Sequence, residues 1–188
     1  MITPNRLTVL RMVIAFLSPA LLIVNRSILI DVLVFVLFTV AVVTDWWDGY
    51  LARTRRMVTS AGKLMDPIAD KLLILGLMFA FSFIGLYAFE WLVAILVREL
   101  AVTIARLIYL NQGRVIPAEG AGKLKVGFQI GSIYATLVFL VIRDSNVFGT
   151  SYVALTIVFH GIHYLGIFLA NFFTLVSGIL FFKRLEEA

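Results

Sequence analysis

Apolar residues dominate six stretches of the chain, at about 7–24, 28–52, 62–84, 88–111, 121–142 and 150–182, and the short segments between them collect most of the Arg, Lys, Asn and Gly. A bilayer crossing takes roughly 20 such residues, so each stretch predicts a membrane-spanning helix. The predicted fold is an all-α integral membrane protein, a six-transmembrane-helix bundle with cytoplasmic termini. Residues 1–188 read as one domain, since no repeat, low-complexity tract or linker argues for a second unit. Met1 to Arg11 carries Pro4, Asn5, Arg6, Thr8 and Arg11 and lacks the small-residue ending of a cleaved signal peptide; it predicts a short N-terminal interfacial helix.

Composition supports lipid as the solvent. Of 188 residues, 62% are hydrophobic and 14% charged, with a mean hydropathy of +1.03. Soluble domains are about a quarter charged, so a water-soluble globule is excluded. The net charge of +5 and pI near 9.7 would suit a nucleic-acid binder, but in a membrane protein the distribution of charge decides. All but three of the 16 basic residues fall on one side, with Arg26 and Arg143 opposite and Arg98 inside a span. The positive-inside rule then puts both termini and the 53–62 and 111–122 loops in the cytoplasm. No nucleic-acid role is expected. The absence of cysteine removes disulfides, thiolate metal sites and Cys nucleophiles.

Candidate chemistry concentrates where the second span ends and the third begins. Asp45 and Asp48 are three residues apart and Asp66 and Asp70 four apart, so each pair shares a helix face. An antiparallel hairpin across the basic turn brings all four to one depth. Four carboxylates in a low-dielectric setting repel unless cations intervene. Oxygen-only donors select hard ions, Mg²⁺ or Mn²⁺, over Zn²⁺. Two such ions would clamp a diphosphate, stabilising the attacked phosphoryl group and the departing oxygen together. Glycine at 49 lets a ligand or a neighbouring backbone come close. Pro67, in the first turn of the third span, reads as structural.

The run Asp45-xx-Asp48-Gly49-xx-Ala52-Arg53, then eight residues, then Gly62-xxx-Asp66-xxx-Asp70 resembles the signature of the CDP-alcohol phosphotransferase family. The resemblance implies cleavage of a CDP-linked alcohol by a second alcohol with release of CMP, two metal ions lying between the carboxylates and the diphosphate. It implies that Asp45 and Asp66 bridge both ions, that Asp48 and Asp70 complete one site each, and that Asp70 is also the general base. Gly49, Arg53, Thr59 and Gly62 match positions that serve the CDP-lipid. A base is chemically required, because an alcohol is a poor nucleophile until its proton is taken.

A second constellation joins Arg98, Glu99 and Arg106 on the fourth span to Lys123 and Lys125 at the start of the fifth. Arg98 lies deep in apolar sequence and should face a partner such as Glu99. Several cations beside a metal site suit an acceptor that is itself a phosphate, so Arg98, Arg106, Lys123 and Lys125 are the candidate acceptor-phosphate ligands. Within the family, residues 4–11, Arg98 to Thr103 with Arg106, and Gly122 to Lys125 are most similar to bacterial members that move the phosphatidyl group of CDP-diacylglycerol to glycerol 3-phosphate. Asn5, Thr8 and Arg11 are further candidates for the acceptor or diphosphate site. The resemblance also implies a homodimer among membrane lipids of a bacterial inner membrane, its active site facing the cytoplasm.

His160 and His163 share a face three residues apart, but no third ligand lies near, so interhelical hydrogen bonds or a subunit contact are expected in place of a metal. Trp46, Trp47 and Trp91 fit interfacial aromatics. Two other readings remain open. A family member with another acceptor (phosphatidylglycerol, inositol phosphate or serine) shares the same signature, and a small cation transporter could also bury carboxylates in six spans.

Overall fold

The computed structural model describes the backbone of residues 4–55, 60–112, 120–145 and 152–186, and the side chains of 8–47, 68–109, 111–112, 122–145 and 157–185. The described residues form six helices: α1 (Pro4–Val24), α2 (Ile28–Arg55), α3 (Ser60–Phe83), α4 (Phe89–Asn111), α5 (Gly120–Ser145) and α6 (Tyr152–Glu186). Each of the six apolar stretches overlaps one of these helices, and no strand occurs among the described residues. The short interfacial lead-in is not separate. α1 runs unbroken from Pro4, a residue tolerated in the first helical turn because its missing N–H had no partner there anyway.

Side chains are distributed as lipid solvation requires. Leu29, Val32, Val36, Val40 and Val43 form an exposed stripe along α2, and Ile157, Ile162, Leu165, Phe168, Phe172 and Ile179 do so on α6. The polar residues point inward: Ser18, Gln129, Ser132, Thr136, Asn171, Thr174 and Ser177 are buried. A soluble protein shows the opposite preference, so this is a membrane protein. Three helices among the described residues are long and apolar enough to cross a bilayer, at Ile28–Trp47, Gly122–Ser145 and Ile157–Leu185, with a shorter apolar stretch at Thr8–Val24.

The helices close a ring in the order α1, α2, α5, α6, α4, α3, with α3 also packed on α5 across the middle. Its core is formed by Val34, Phe38, Leu77, Met78, Phe81, Ile95, Ile133, Leu137 and Leu140. At the α1–α3 seam, Pro19 cannot donate to the Ala15 carbonyl one turn back. Gly76 meets that exposed oxygen: a β-carbon there would sit 3.0 Å from Pro19 Cγ and 3.2 Å from Ala15 O. Backbone is brought close to backbone, as small residues allow in membranes.

One end of the bundle is fastened by neutral hydrogen bonds. α3 stops at Gly85, whose φ of 78° suits glycine. Leu86 N–H donates to Phe81 O at 2.8 Å and Gly85 N–H to Ser82 O at 3.0 Å, closing a Schellman turn. Fully buried His163 of α6 then donates through Nε2 to the Leu86 carbonyl (3.2 Å) and accepts at Nδ1 from the Thr136 hydroxyl (2.8 Å). Tyr87 completes the set by donating to Ser132 at 3.3 Å. The histidine makes interhelical hydrogen bonds, as the sequence predicts.

Gly76→Leu should cost about 1–3 kcal/mol through overpacking, read as a lowered Tm of the purified protein in detergent. Gly161→Leu should leave Tm nearly unchanged, because a β-carbon at Gly161 meets nothing within 4 Å.

Candidate active site

At the other end of the ring, three helices bring charged groups to one point. Arg11, two turns into α1, is 1% exposed. Its Nη1 donates to Asp70 Oδ1 of α3 at 2.6 Å and forms an ion pair with Asp45 Oδ1 of α2 at 2.7 Å. The two carboxylates are half in solvent, at 49% and 42% side-chain exposure, whereas the guanidinium between them is sealed. A buried arginine in an apolar helix must find anions, and these two lie on the neighbouring helices at its depth. Its Nε and Nη2 are also buried and have no hydrogen-bond partner among the described residues.

Asp45 and Asp70 therefore converge as the hairpin predicts. Their Oδ1 atoms touch the same nitrogen, so they lie no farther apart than two hydrogen bonds span. Asp48, Gly49 and Arg53 continue α2 and Gly62 and Asp66 belong to α3, but their side chains, with that of Asn5 in α1, lie outside the described residues, and Thr59 lies outside them altogether. Thr8 is buried one turn before Arg11. Among the described residues no three His, Cys, Asp or Glu side chains gather at one point. The two carboxylates that are described suit a hard divalent cation in chemistry and spacing: oxygen donors, paired charge and partial access to water.

A cavity of about 60 Å³ beside Arg11 is lined by Phe38, Asp45, Asp70, Ile74 and Val126 among others. A second of about 200 Å³ continues from it past Asp70, Ile74 and Val126 and adds Lys71, Leu75, Glu99, Lys125 and Gln129. Asp70 thus stands at the junction of a carboxylate site and a chamber lined by Lys71, Lys125 and Glu99.

The chamber is organised around Glu99 of α4. Lys125 of α5 donates to Glu99 Oε1, and Arg98 Nη1 donates to the same oxygen at 3.1 Å. Both members of the Glu99–Lys125 pair are buried. Arg98 Nη2 reaches Ser177 of α6 at 2.8 Å, and Gly178 leaves room for its stem, since a β-carbon there would lie 3.0 Å from Arg98 Cγ. Lys71 donates to Thr103, whose hydroxyl in turn donates to the Glu99 carbonyl at 2.6 Å. Arg98 thus has the carboxylate partner its sequence setting demands.

The remaining candidates are placed apart. Arg106 is exposed, with Cζ 5.5 Å from the Phe181 ring centroid in a cation–π contact. Lys123 is exposed and lines a different surface cavity with Leu124, Gly127, Phe128, Gly131, Ser132 and Gly166. Residues two apart on a helix do not face the same way, so Lys123 and Lys125 diverge. Lys71 and Gln129 line the chamber without having stood out in the sequence. Lys71 read only as one more cytoplasmic basic residue, although its place next to Asp70 was the available signal.

A polar end in an apolar helical ring, with acidic groups on one wall and buried cations on the next, defines a membrane-embedded protein with a charged site. The CDP-alcohol phosphatidyltransferase family matches residues 1–168, and the chain belongs to that family. It is an enzyme of the phosphatidyltransferase class, and the family works with divalent metal ions. The chain is 36% identical over 154 residues to the CDP-diacylglycerol–glycerol-3-phosphate 3-phosphatidyltransferase of Bacillus subtilis, an alignment covering 81% of this chain and 73% of that protein. It is 36% identical over 144 residues to the like-named enzyme of Mycoplasma pneumoniae, covering 76% of this chain and 61% of the other. Against that of Rickettsia typhi it is 46% identical over 71 residues, 38% of this chain and 39% of the relative.

Glu99→Leu should destabilise the protein by about 3–5 kcal/mol, because Lys125 and Arg98 lose their buried counterion. Adding Lys125→Met should restore part of that loss, a non-additivity read from melts of the two single variants and the double variant.

Proposed function

We propose that the protein transfers the phosphatidyl group from CDP-diacylglycerol to glycerol 3-phosphate, giving phosphatidylglycerol phosphate and CMP. The carrying observation is the position of Asp70, which borders the carboxylate site on one side and the Lys125 chamber on the other. A proton acceptor is needed where an activated phosphodiester and an incoming alcohol meet, and Asp70 stands at such a junction. The names of the relatives support the same donor and acceptor.

In this reading Asp45, Asp48, Asp66 and Asp70 hold two Mg²⁺ or Mn²⁺ ions. When bound, the ions neutralise the diphosphate and the charge that develops as it is cleaved. Gly49, Arg53, Thr59 and Gly62 serve the CDP portion, and Asn5 and Thr8 flank it. The acceptor's phosphate enters the chamber and is drawn to Lys125 and Lys71, with Arg98 behind them. Arg106, exposed and stacked on Phe181, and Lys123, facing another cavity, take lesser parts. Positioned by its phosphate, the acceptor hydroxyl attacks the phosphatidyl phosphorus as its proton passes to Asp70. The bond from phosphorus to the CMP oxygen breaks, and CMP leaves with that electron pair. Most of the acceleration comes from alignment and fixed charge.

The topology that goes with this chemistry is six crossings with both termini in the cytoplasm of a bacterial inner membrane, supported by the placement of the basic residues. It puts the active site on the side where CMP is released to water. A homodimer belongs to the same reading. The α5 face at Gly127 and Gly131, where a β-carbon would meet nothing within 4 Å, is open enough for close helix approach.

Purified protein in detergent, supplied with CDP-diacylglycerol, Mg²⁺ and labelled glycerol 3-phosphate, should release CMP and form labelled lipid. Serine, inositol phosphate and phosphatidylglycerol should not substitute, and turnover with one of them alone would reassign the acceptor. Asp70→Asn should lower kcat by ~10²-fold or more while CDP-lipid binding persists; an unchanged rate would remove Asp70 as base. Lys125→Ala should raise the glycerol 3-phosphate KM strongly without a comparable loss of CDP-lipid affinity, and equal effects on both would overturn the chamber assignment.

A further inference from the structure

We propose that Arg11 is the resident cation of the carboxylate site, and that a divalent ion enters by displacing its guanidinium from Asp45 and Asp70. This rests on the metal reading above. A single nitrogen, Nη1, touches both carboxylates at 2.7 and 2.6 Å, so it occupies the position a shared metal ion would take. A permanent arginine–carboxylate tie normally uses two parallel bonds from the guanidinium fork. Here one nitrogen serves two anions, while Nε and Nη2 stay buried without a partner among the described residues. The side chain is held by one corner, and its other two donors are satisfied only when an anion arrives beside them. The diphosphate that a metal ion would bring is such an anion.

The surroundings permit the exchange. The small cavity bounded by Arg11, Asp45 and Asp70 gives the guanidinium somewhere to withdraw without entering lipid. Both carboxylates are partly exposed, so an ion can approach while Arg11 is still in place. Acidic groups held at one depth repel one another when no metal is bound. An arginine between two of them relieves that repulsion and keeps α1, α2 and α3 in register. It also makes the site bind metal less tightly than the same carboxylates would alone.

The test compares wild type with Arg11→Met in detergent, reading Mn²⁺ binding by electron paramagnetic resonance and melting in EDTA and in saturating Mn²⁺. Arg11→Met should bind Mn²⁺ several-fold more tightly, and Mn²⁺ should raise its Tm by more than it raises that of wild type. Arg11→Lys, whose shorter ammonium competes less well, should fall between them and carries the test if the methionine variant does not fold. Variants that bind Mn²⁺ no tighter and gain no extra Tm from it would overturn the exchange. If wild type binds Mn²⁺ and releases CMP in that case, the proposed reaction survives and only the role of Arg11 falls. If wild type releases CMP but binds no Mn²⁺, the metal reading and the exchange fall together.

Discussion

Lipid cannot solvate a guanidinium, and Arg11 sits where neither water nor headgroups reach it. Its charge must be met by protein, and the groups that meet it come from α2 and α3, so one side chain fixes the relative depth of three helices. The constraint runs in both directions. Asp45 and Asp70 would repel at this separation, and the positive charge that α1 inserts makes their convergence tolerable. Much of the site geometry follows from this one ionic junction. Asp70 is pinned by its contact with Arg11, and the cationic chamber begins at its next neighbour, Lys71.

The two ends of the ring handle buried polarity in different ways. Around His163 every partner is neutral: a carbonyl, hydroxyls and one imidazole whose nitrogens divide donor and acceptor roles. Such a network is satisfied within itself, gains nothing from a ligand and locks the α3–α4 loop to α5 and α6. At the other end, Lys125 and Arg98 share a single Glu99 oxygen, and Arg11 is held by one nitrogen. Charged groups with spare valence can change partners at modest cost when a new ion arrives. The bundle keeps its register at one end while the other remains free to trade counterions.

The helices were legible because bilayer thickness imposes a length on each apolar run. The run at 7–24 became Pro4–Val24 and that at 28–52 became Ile28–Arg55. Periodicity likewise showed that Asp45 and Asp70 could meet, since a hairpin must place them at similar depth. Arg11 was harder. An arginine near a chain start, followed by an apolar run, reads as an interfacial anchor; its actual partners lie far along the sequence, on other helices. Lys71 was hidden for a related reason, as basic residues near a cytoplasmic face satisfy the topology rule whatever else they do. The divergence of Lys123 from Lys125, by contrast, follows from helical spacing and was available from the sequence.

On the proposed function the chamber needs cations for its anion, yet cations waiting in a low-dielectric site need an anion of their own. Glu99 resolves the conflict by serving as a built-in substitute. It holds Lys125 and Arg98 in place through a carboxylate that is itself buried. A phosphate entering beside them meets groups already desolvated and oriented, so less is lost in dehydrating and ordering them at the moment of binding. Arg11 plays the complementary part across Asp70, a cation of the chain itself standing between Asp45 and Asp70. Each half of the site thus carries an internal counterion opposite in sign to its own majority charge. That arrangement lets one membrane-embedded chain hold the Asp45–Asp70 pair and the Lys125–Arg98 pair a few side chains apart without either collapsing onto the other. The two are kept apart by α3, where Asp70 faces one and Lys71 the other.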